Sequence, residues 1–94
     1  MIITGGYNVH PQEVESVLNT CPGITESAVV GIPDEKWGEV VTAFIVGAPE
    51  IDPLIHCRNS LASYKIPRKI FYIDSIPKSE VGKILRKDLR KSYK

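Results

Sequence analysis

Cysteine and histidine are scarce in this 94-residue chain, which has two residues of each type. Cys21 and Cys57 are too few and too far apart for a disulfide scaffold or a zinc site, so we expect a reducing compartment. His10 and His56 have no partner at metal-ligand spacing, and we predict no metal site. No apolar run approaches the roughly 20 residues of a membrane-spanning helix. The N-terminus also lacks the pattern of a signal peptide, and we expect a cytoplasmic protein.

Basic residues are nearly missing from the first part of the chain. Residues 1–57 contain one basic residue, Lys36, and eight acidic ones, whereas residues 58–94 contain eleven basic and three acidic ones. This polarity predicts that the C-terminal third contacts an anion, although a solvated helix face explains the last three basic residues better. No Gly-x-x-Gly clamp or aromatic-studded strand is present, so nucleic acid is not expected as a partner.

Helix signals occur at three places. Pro11 suits the first position of a helix that ends near Thr20, because proline is tolerated where the N–H has no helical partner. Asp52 followed by Pro53 is typical of an N-cap and first position for a second helix. A third helix is predicted from about Arg86. Apolar residues at helical spacing predict the buried sides of the three helices: Val14, Val17, Leu18 and Cys21; Leu54, Cys57 and Leu61; Leu85, Leu89 and Tyr93.

Strand signals separate these helices. Residues 24–32, 40–46 and 69–73 are rich in β-branched or aromatic side chains and are predicted to be strands. Gly5 and Gly6 interrupt a short apolar start and predict a hairpin or tight turn. The chain is therefore predicted to be one domain, residues 1–94, with an α+β fold: a two-layer sandwich in which helices cover a small mixed sheet of about three strands, with a short N-terminal hairpin.

A glycine directly before a lysine is the strongest chemical signal. Pro77 opens a tight turn that ends at Gly82, and Lys83 follows as a mobile point charge with three donors, which suits a phosphate or a developing negative charge. The segment is not a Walker motif. No second glycine lies five residues before Gly82, and no Ser or Thr follows Lys83.

Several segments together support a family resemblance. They are Gly5-Gly6-Tyr7-Asn8-Val9-His10-Pro11, Val30-Gly31-Ile32-Pro33-Asp34-Glu35, Trp37-Gly38-Glu39, Ser63-Tyr64-Lys65-Ile66-Pro67 and the Gly82-Lys83 turn. In this order and spacing the chain resembles the small C-terminal domain of the adenylate-forming enzymes, which include acyl-CoA synthetases, aryl-CoA ligases, luciferases and peptide-synthetase adenylation domains. The first and fourth segments resemble the acyl-CoA synthetase branch. The resemblance covers nearly the whole chain.

The resemblance implies roles in the adenylation half-reaction. Lys83 matches the catalytic lysine that bridges the substrate carboxylate and the ATP phosphates. Gly82 matches a position near the adenylate. Asn8, in the Gly5-Gly6-Tyr7-Asn8 turn that takes over after the domain rotates, matches a polar position near the adenylate phosphate. The same context resembles a site of regulatory lysine acetylation, which implies a lysine acetyltransferase and a deacetylase as partners acting at Lys83.

The resemblance also implies roles in thioester formation. Gly5, Gly6 and Tyr7 match the loop that lines the channel for the CoA pantetheine after the domain rotates, and Lys65 matches a position that could meet the CoA nucleotide. Glycine suits such a loop because the backbone must lie against a thin ligand.

The resemblance covers only one part of such an enzyme, because the large N-terminal adenylation domain, with its ATP loop and acyl pocket, is absent from the chain. ATP with Mg, CoA and a small carboxylic acid are therefore expected as substrates of the complete acid–thiol ligase. We expect none of them to bind stably to this domain alone, and we expect the isolated chain to be inactive. The alternative is a freestanding non-catalytic module that binds a nucleotide, CoA or a protein partner.

Overall fold

The structure, a computed structural model, describes residues 1–92 and contains one five-stranded mixed sheet. The strand order is β2-β1-β4-β3, and β5 pairs with β4. In chain order the elements are β1 (Ile2–Thr4), β2 (Tyr7–Val9), α1 (Pro11–Leu18), β3 (Ile24–Asp34), β4 (Gly38–Gly47), α2 (Pro53–Arg58), a 3-10 turn (Ser63–Lys65), β5 (Lys69–Tyr72) and α3 (Arg86–Ser92).

The predicted N-terminal hairpin is confirmed. β1 and β2 pair antiparallel from Ile2 opposite Val9 to Thr4 opposite Tyr7. The turn between them is Gly5-Gly6, with φ angles of 56° and 85°. Two positive φ values in a two-residue turn match the right-handed twist of the strands, and glycine reaches them at the least steric cost. The hairpin joins the main sheet where Thr4 pairs with Gly38.

The three predicted strands form the rest of the sheet. β3 and β4 are long antiparallel neighbours with Val30 opposite Thr42, and β5 runs parallel to β4 with Ile70 opposite Ala43. The sheet is therefore mixed, as predicted, and the hairpin raises its strand number from three to five. The α+β class is confirmed.

The core lies on both faces of the sheet because successive residues of the central strands point to opposite sides. On one face α1 and α2 cover a cluster that includes Val29 of β3 and Ala43 of β4. On the other face Leu89 of α3 packs against Ala28 of β3 and Phe44 of β4. The short α3 thus adds cover on a face that the two-layer description had left open.

The helix starts agree with the sequence signals. Pro11 and Pro53 occupy first helical positions, and the Asp52 carboxylate accepts a hydrogen bond of 2.9 Å from the Leu54 N–H. α3 begins at Arg86 as expected, and none of the helices in residues 1–92 is long and apolar enough to cross a membrane. Leu89 is buried, whereas Leu85 is 36% exposed because it ends the preceding loop; the expected burial of Leu85 is wrong. Tyr93 lies outside the described residues.

The two cysteines are free and buried in the core under α1 and α2. Burial raises the pKa of Cys57 to about 11, with a smaller contribution from Cys21. Burial also raises the pKa of Cys21, and the carboxylates of Asp52 and Glu50 add to that effect. Both thiols therefore stay protonated near neutral pH and act as packing groups, since the thiolate is the reactive form.

Candidate functional site

The lysine loop, defined here as residues 77–85, is a closed hairpin on the surface. The Leu85 N–H donates to the Pro77 carbonyl at 2.9 Å, and the Ser79 N–H donates to the Lys83 carbonyl at 2.8 Å. Between these bonds Lys78 and Ile84 form an isolated antiparallel bridge. Backbone hydrogen bonds across its base and its middle give the loop a defined shape.

The tip of the lysine loop presents a cation to solvent. The Gly82 N–H donates to the Ser79 carbonyl at 2.9 Å, and Gly82 has a φ of 85°, where a side chain would be strained. The Lys83 N–H bonds to Ser79 Oγ at 3.2 Å. The Lys83 side chain is exposed, and within residues 1–92 its ammonium has no hydrogen-bond or ion-pair partner. The loop therefore fixes the Lys83 backbone and leaves its charge available.

The Gly5-Gly6 turn rests against Trp37. The Gly5 N–H donates to the Trp37 carbonyl at 2.9 Å, and a Cβ atom on Gly5 would lie 2.9 Å from Trp37 Cε3. A Cβ atom on Gly6 would meet nothing within 4 Å. The guanidinium of Arg68 stacks over the Trp37 ring, 4.1 Å from its centroid. Gly5 is thus the buttressed residue of the turn, and Gly6 is the open one.

This difference predicts unequal costs for two alanine variants of the chain. Both Gly5→Ala and Gly6→Ala force a left-handed φ on alanine, which costs about 1–2 kcal/mol. Gly5→Ala should lose a further ~1–3 kcal/mol because its methyl group overpacks against Trp37. Denaturant unfolding measures both losses, and the emission of Trp37, the single tryptophan in the sequence, reports ring displacement. Equal losses in the two variants would contradict the assignment of the contact.

Tyr7 and Lys65 lie in one cluster with two residues that the sequence analysis had not assigned to the site. The Tyr7 and Tyr64 rings stack with centroids 4.5 Å apart. Lys65 follows Tyr64, and its Nζ lies 2.8 Å from a Glu13 carboxylate oxygen and 5.6 Å from the Tyr64 ring centroid. The hydrogen bond to Glu13 raises the pKa of Lys65. The structure therefore links two of the predicted CoA residues, Tyr7 and Lys65, through Tyr64, next to the Gly5-Gly6 turn.

Asn8, Gly82 and Lys83 are not gathered into one site. Asn8 is exposed on β2 and pairs across the hairpin with Ile3. Within residues 1–92, no hydrogen bond, ion pair or ring contact joins Gly82 or Lys83 to the hairpin. The candidate site consists of two surfaces. One is the lysine loop; the other, named the hairpin cluster, consists of Gly5, Gly6, Tyr7, Tyr64, Lys65 and Glu13. The roles of all the predicted site residues stay predictions.

Several residues that support these surfaces could not be identified from the sequence. Lys65 and Glu13 are 52 positions apart, and Arg86 and Glu15 are 71 apart. Glu13 and Glu15, two positions apart on α1, contact these different partners. The residues missed are Glu13, Tyr64, Trp37 and Arg68, which contact the hairpin cluster or its turn, and Glu15 and Arg86, which lie outside both surfaces.

Neither histidine belongs to a group of side chains in residues 1–92 that could bind a metal ion. His56 Nε2 lies 2.8 Å from Thr20 Oγ1 and 3.1 Å from the Val17 carbonyl oxygen, so it links α2 to the end of α1. In the described part of the chain, no group of three or more His, Cys, Asp or Glu side chains could hold a metal ion. His56 therefore serves packing between the two helices.

The fold corresponds to a known class of domain. The AMP-binding enzyme C-terminal domain family matches residues 13–83, and the chain belongs to this family. A long-chain-fatty-acid–CoA ligase of Mycobacterium tuberculosis, FadD13, is 45% identical over 97 residues, covering 99% of this chain and 19% of the relative. A 2-succinylbenzoate–CoA ligase of Bacillus cereus (strain Q1) is 40% identical over 93 residues, covering 96% of this chain and 19% of the relative.

Solved structures give the same result. A fatty acyl CoA synthetase of Mycobacterium tuberculosis superimposes with a TM-score of 0.93 at 45% identity, over 99% of this chain and 19% of that chain. ATP-bound MatB from Rhodopseudomonas palustris superimposes with a TM-score of 0.90 at 40% identity, over 97% of this chain and 19% of that chain. The chain thus spans about a fifth of the length of these relatives.

Proposed function

We propose that this chain is the mobile C-terminal domain of an ATP-dependent acyl-CoA synthetase and that its two surfaces serve two successive half-reactions. The observation that carries the proposal is the lysine loop. Hydrogen bonds to Ser79 hold the N–H and the carbonyl of Lys83, and the ammonium has no hydrogen-bond or ion-pair partner in residues 1–92. Such a charge is suited to a ligand that another part of the enzyme holds.

In the first half-reaction, the substrate carboxylate attacks the α-phosphorus of ATP and pyrophosphate leaves, which gives an acyl-adenylate. Negative charge shifts between the carboxylate and the phosphates in the transition state, and a positioned cation stabilises it most strongly in a site that excludes water. Lys83 supplies this cation. Gly82 lets the backbone turn close to the ligand. Asn8 belongs to the hairpin and meets the adenylate phosphate only after the domain has rotated.

In the second half-reaction, the CoA thiol attacks the acyl carbonyl carbon and AMP leaves. The open side of Gly6 gives the pantetheine arm room to pass, and the stacked rings of Tyr7 and Tyr64 stiffen the wall beside it. Lys65 meets the phosphates of the CoA nucleotide. To do so it must leave Glu13, which costs little because solvent screens a partly exposed ion pair.

The two surfaces require a rotation between the half-reactions. No hydrogen bond, ion pair or ring contact joins them in the described residues, so we propose that each faces the reaction centre in a different orientation of the domain. A large adenylation domain would be the partner against which this domain rotates. Such a rotation belongs with the lid and domain closures that many enzymes make during catalysis. That domain would also hold ATP, Mg and the carboxylic acid. The cytoplasmic location of the protein stays a prediction.

A domain exchange tests this proposal. The matching segment of FadD13, which is 45% identical to this chain, would be replaced by the chain. We expect the chimera to form acyl-CoA from a long-chain fatty acid, ATP and CoA, whereas the relative without its segment should not. The isolated chain with ATP, Mg and a panel of carboxylic acids should release no pyrophosphate.

Two results would overturn the proposal. A folded chimera that forms neither adenylate nor thioester would favour a non-catalytic binding module. Binding of CoA or a nucleotide to the isolated chain would then identify the ligand of that module. Pyrophosphate release by the isolated chain that disappears in Lys83→Ala would show that the chain needs no second domain.

A further inference from the structure

An ion pair between α1 and the start of α3 has no part in either surface described above. The Arg86 Nη2 lies 2.9 Å from Glu15 Oε1 and 2.7 Å from Oε2, so one NH2 nitrogen of the guanidinium donates to both carboxylate oxygens. The Glu15 side chain is only 10% exposed and that of Arg86 30%. Charge-assisted hydrogen bonds in such a partly buried position are stronger and more directional than those of exposed pairs.

The pair also binds the backbone of the outermost strand. β3 ends the strand order of the sheet, and there the Val29 N–H donates to Glu15 Oε2 at 2.8 Å. Arg86 Nε donates to the Val29 carbonyl at 3.2 Å. Glu15 and Arg86 therefore satisfy both backbone groups of Val29 and hold each other in one orientation. Arg86 is fixed by three hydrogen bonds to two different elements.

This fixed residue lies three positions after Lys83. Ile84 packs into the core under α3, and the Leu85 N–H closes the base of the lysine loop. On the other stem, Lys78 pairs with Glu26 of β3, but both side chains are partly exposed and contribute little to rigidity. Of these two ion pairs beside the lysine loop, Arg86–Glu15 is the more buried and is bonded to the sheet backbone as well.

We propose that Glu15 and Arg86 are positioning residues for the adenylation step, which they serve by holding the lysine loop, and with it Lys83, in one direction relative to the sheet. This inference rests on the proposed function of Lys83. A loop on a rotating domain must arrive at the other domain with its shape already set. A misplacement of about 1 Å at a reacting centre can cost about 10²-fold in rate.

The test uses the complete ligase that includes this domain, with the half-reactions measured separately. Arg86→Gln should lower kcat for adenylate formation by about 10-fold, a part of the loss that full misplacement causes, with little change in the KM for ATP. The rate of acyl transfer from a supplied acyl-adenylate to CoA should stay within about 2-fold of the unmodified ligase, because the hairpin cluster proposed for that step does not include Arg86. Glu15→Gln keeps an acceptor for Val29 and should show the same selectivity with a smaller loss. Lys87→Gln removes an exposed neighbouring charge and should leave both half-reactions unchanged.

A double variant separates positioning from general stability. If Arg86 acts through Lys83, Arg86→Gln should add nothing to the adenylation loss of Lys83→Ala. Equal loss of both half-reactions in folded Arg86→Gln and Glu15→Gln, or an additive loss in the double variant, would overturn the inference. A normal adenylation rate in Lys83→Ala alone would instead overturn the proposed function. Thermal melting identifies any variant that fails to fold. If Arg86→Gln does not fold, Arg86→Lys takes its place, because lysine keeps the positive charge but lacks the forked donors of the guanidinium.

Discussion

Replacing Lys83 with alanine in the complete ligase should slow acyl-adenylate formation by roughly 10²–10³-fold, the scale for deleting one preorganised electrostatic contact. The fold should be unaffected, because the side chain is exposed and makes no hydrogen bond or ion pair within residues 1–92. Thioester formation from a supplied acyl-adenylate should persist. Pyrophosphate release and acyl-CoA formation measure the two steps, with Lys87→Ala as the matched control. Normal adenylation by Lys83→Ala would refute the central assignment.

Acetylation of Lys83 gives a second way to remove the same charge. The acetylated side chain is neutral, so the modified ligase should resemble the alanine variant and recover on deacetylation. The exposure of Lys83 at the loop tip leaves its amine accessible to a modifying enzyme. A ligase acetylated at this position with unchanged adenylation would contradict the charge argument even if Lys83→Ala is slow.

Replacing Gly6 with leucine in the complete ligase should separate the half-reactions in the opposite direction. A Cβ atom at Gly6 would meet nothing within 4 Å in residues 1–92, so we expect the rest of a leucine side chain to extend to where the pantetheine arm is proposed to pass. Thioester formation should fall by roughly 10–10²-fold, the range over which small displacements of a reacting group act. Adenylate formation should remain.

Gly6→Ala is the control for this experiment. It imposes the same positive φ on a non-glycine residue, at a cost of about 1–2 kcal/mol in stability, but adds only one methyl group. Thioester formation should therefore suffer much less in Gly6→Ala than in Gly6→Leu. If both variants lose both half-reactions equally while folded, Gly6 has a conformational role only and does not line the channel.

Local signals in the sequence were sufficient for most of the secondary structure. Pro11 and Asp52-Pro53 mark helix starts because their effects on φ and on the free N–H groups act within one turn. Gly5-Gly6 predicts the hairpin because glycine adopts positive φ angles at the least steric cost, and both φ angles of the observed turn are positive. Gly82 before Lys83 predicts an exposed lysine on a tight turn for the same reason. In each case the residues that decide the structure are next to one another in the chain.

The sequence could not show which distant side chains meet. Nothing local connects Glu13 with Lys65, 52 positions away, or Glu15 with Arg86, 71 positions away. The expected burial of Leu85 failed for a related reason, since the closed lysine loop, rather than helical spacing, determines where that side chain points.

By itself, the sequence determined the α+β class, the helix starts, the hairpin turn and the presentation of Lys83. These depend on backbone preferences and hydrogen bonds within a few residues. Only the tertiary structure decided that α3 packs on the second face of the sheet, that Trp37 supports Gly5 and that an Arg86–Glu15 pair joins the start of α3 to α1 and β3. Such contacts form only after strand pairing and core packing bring remote residues together, because their separate side-chain preferences are compatible with many partners.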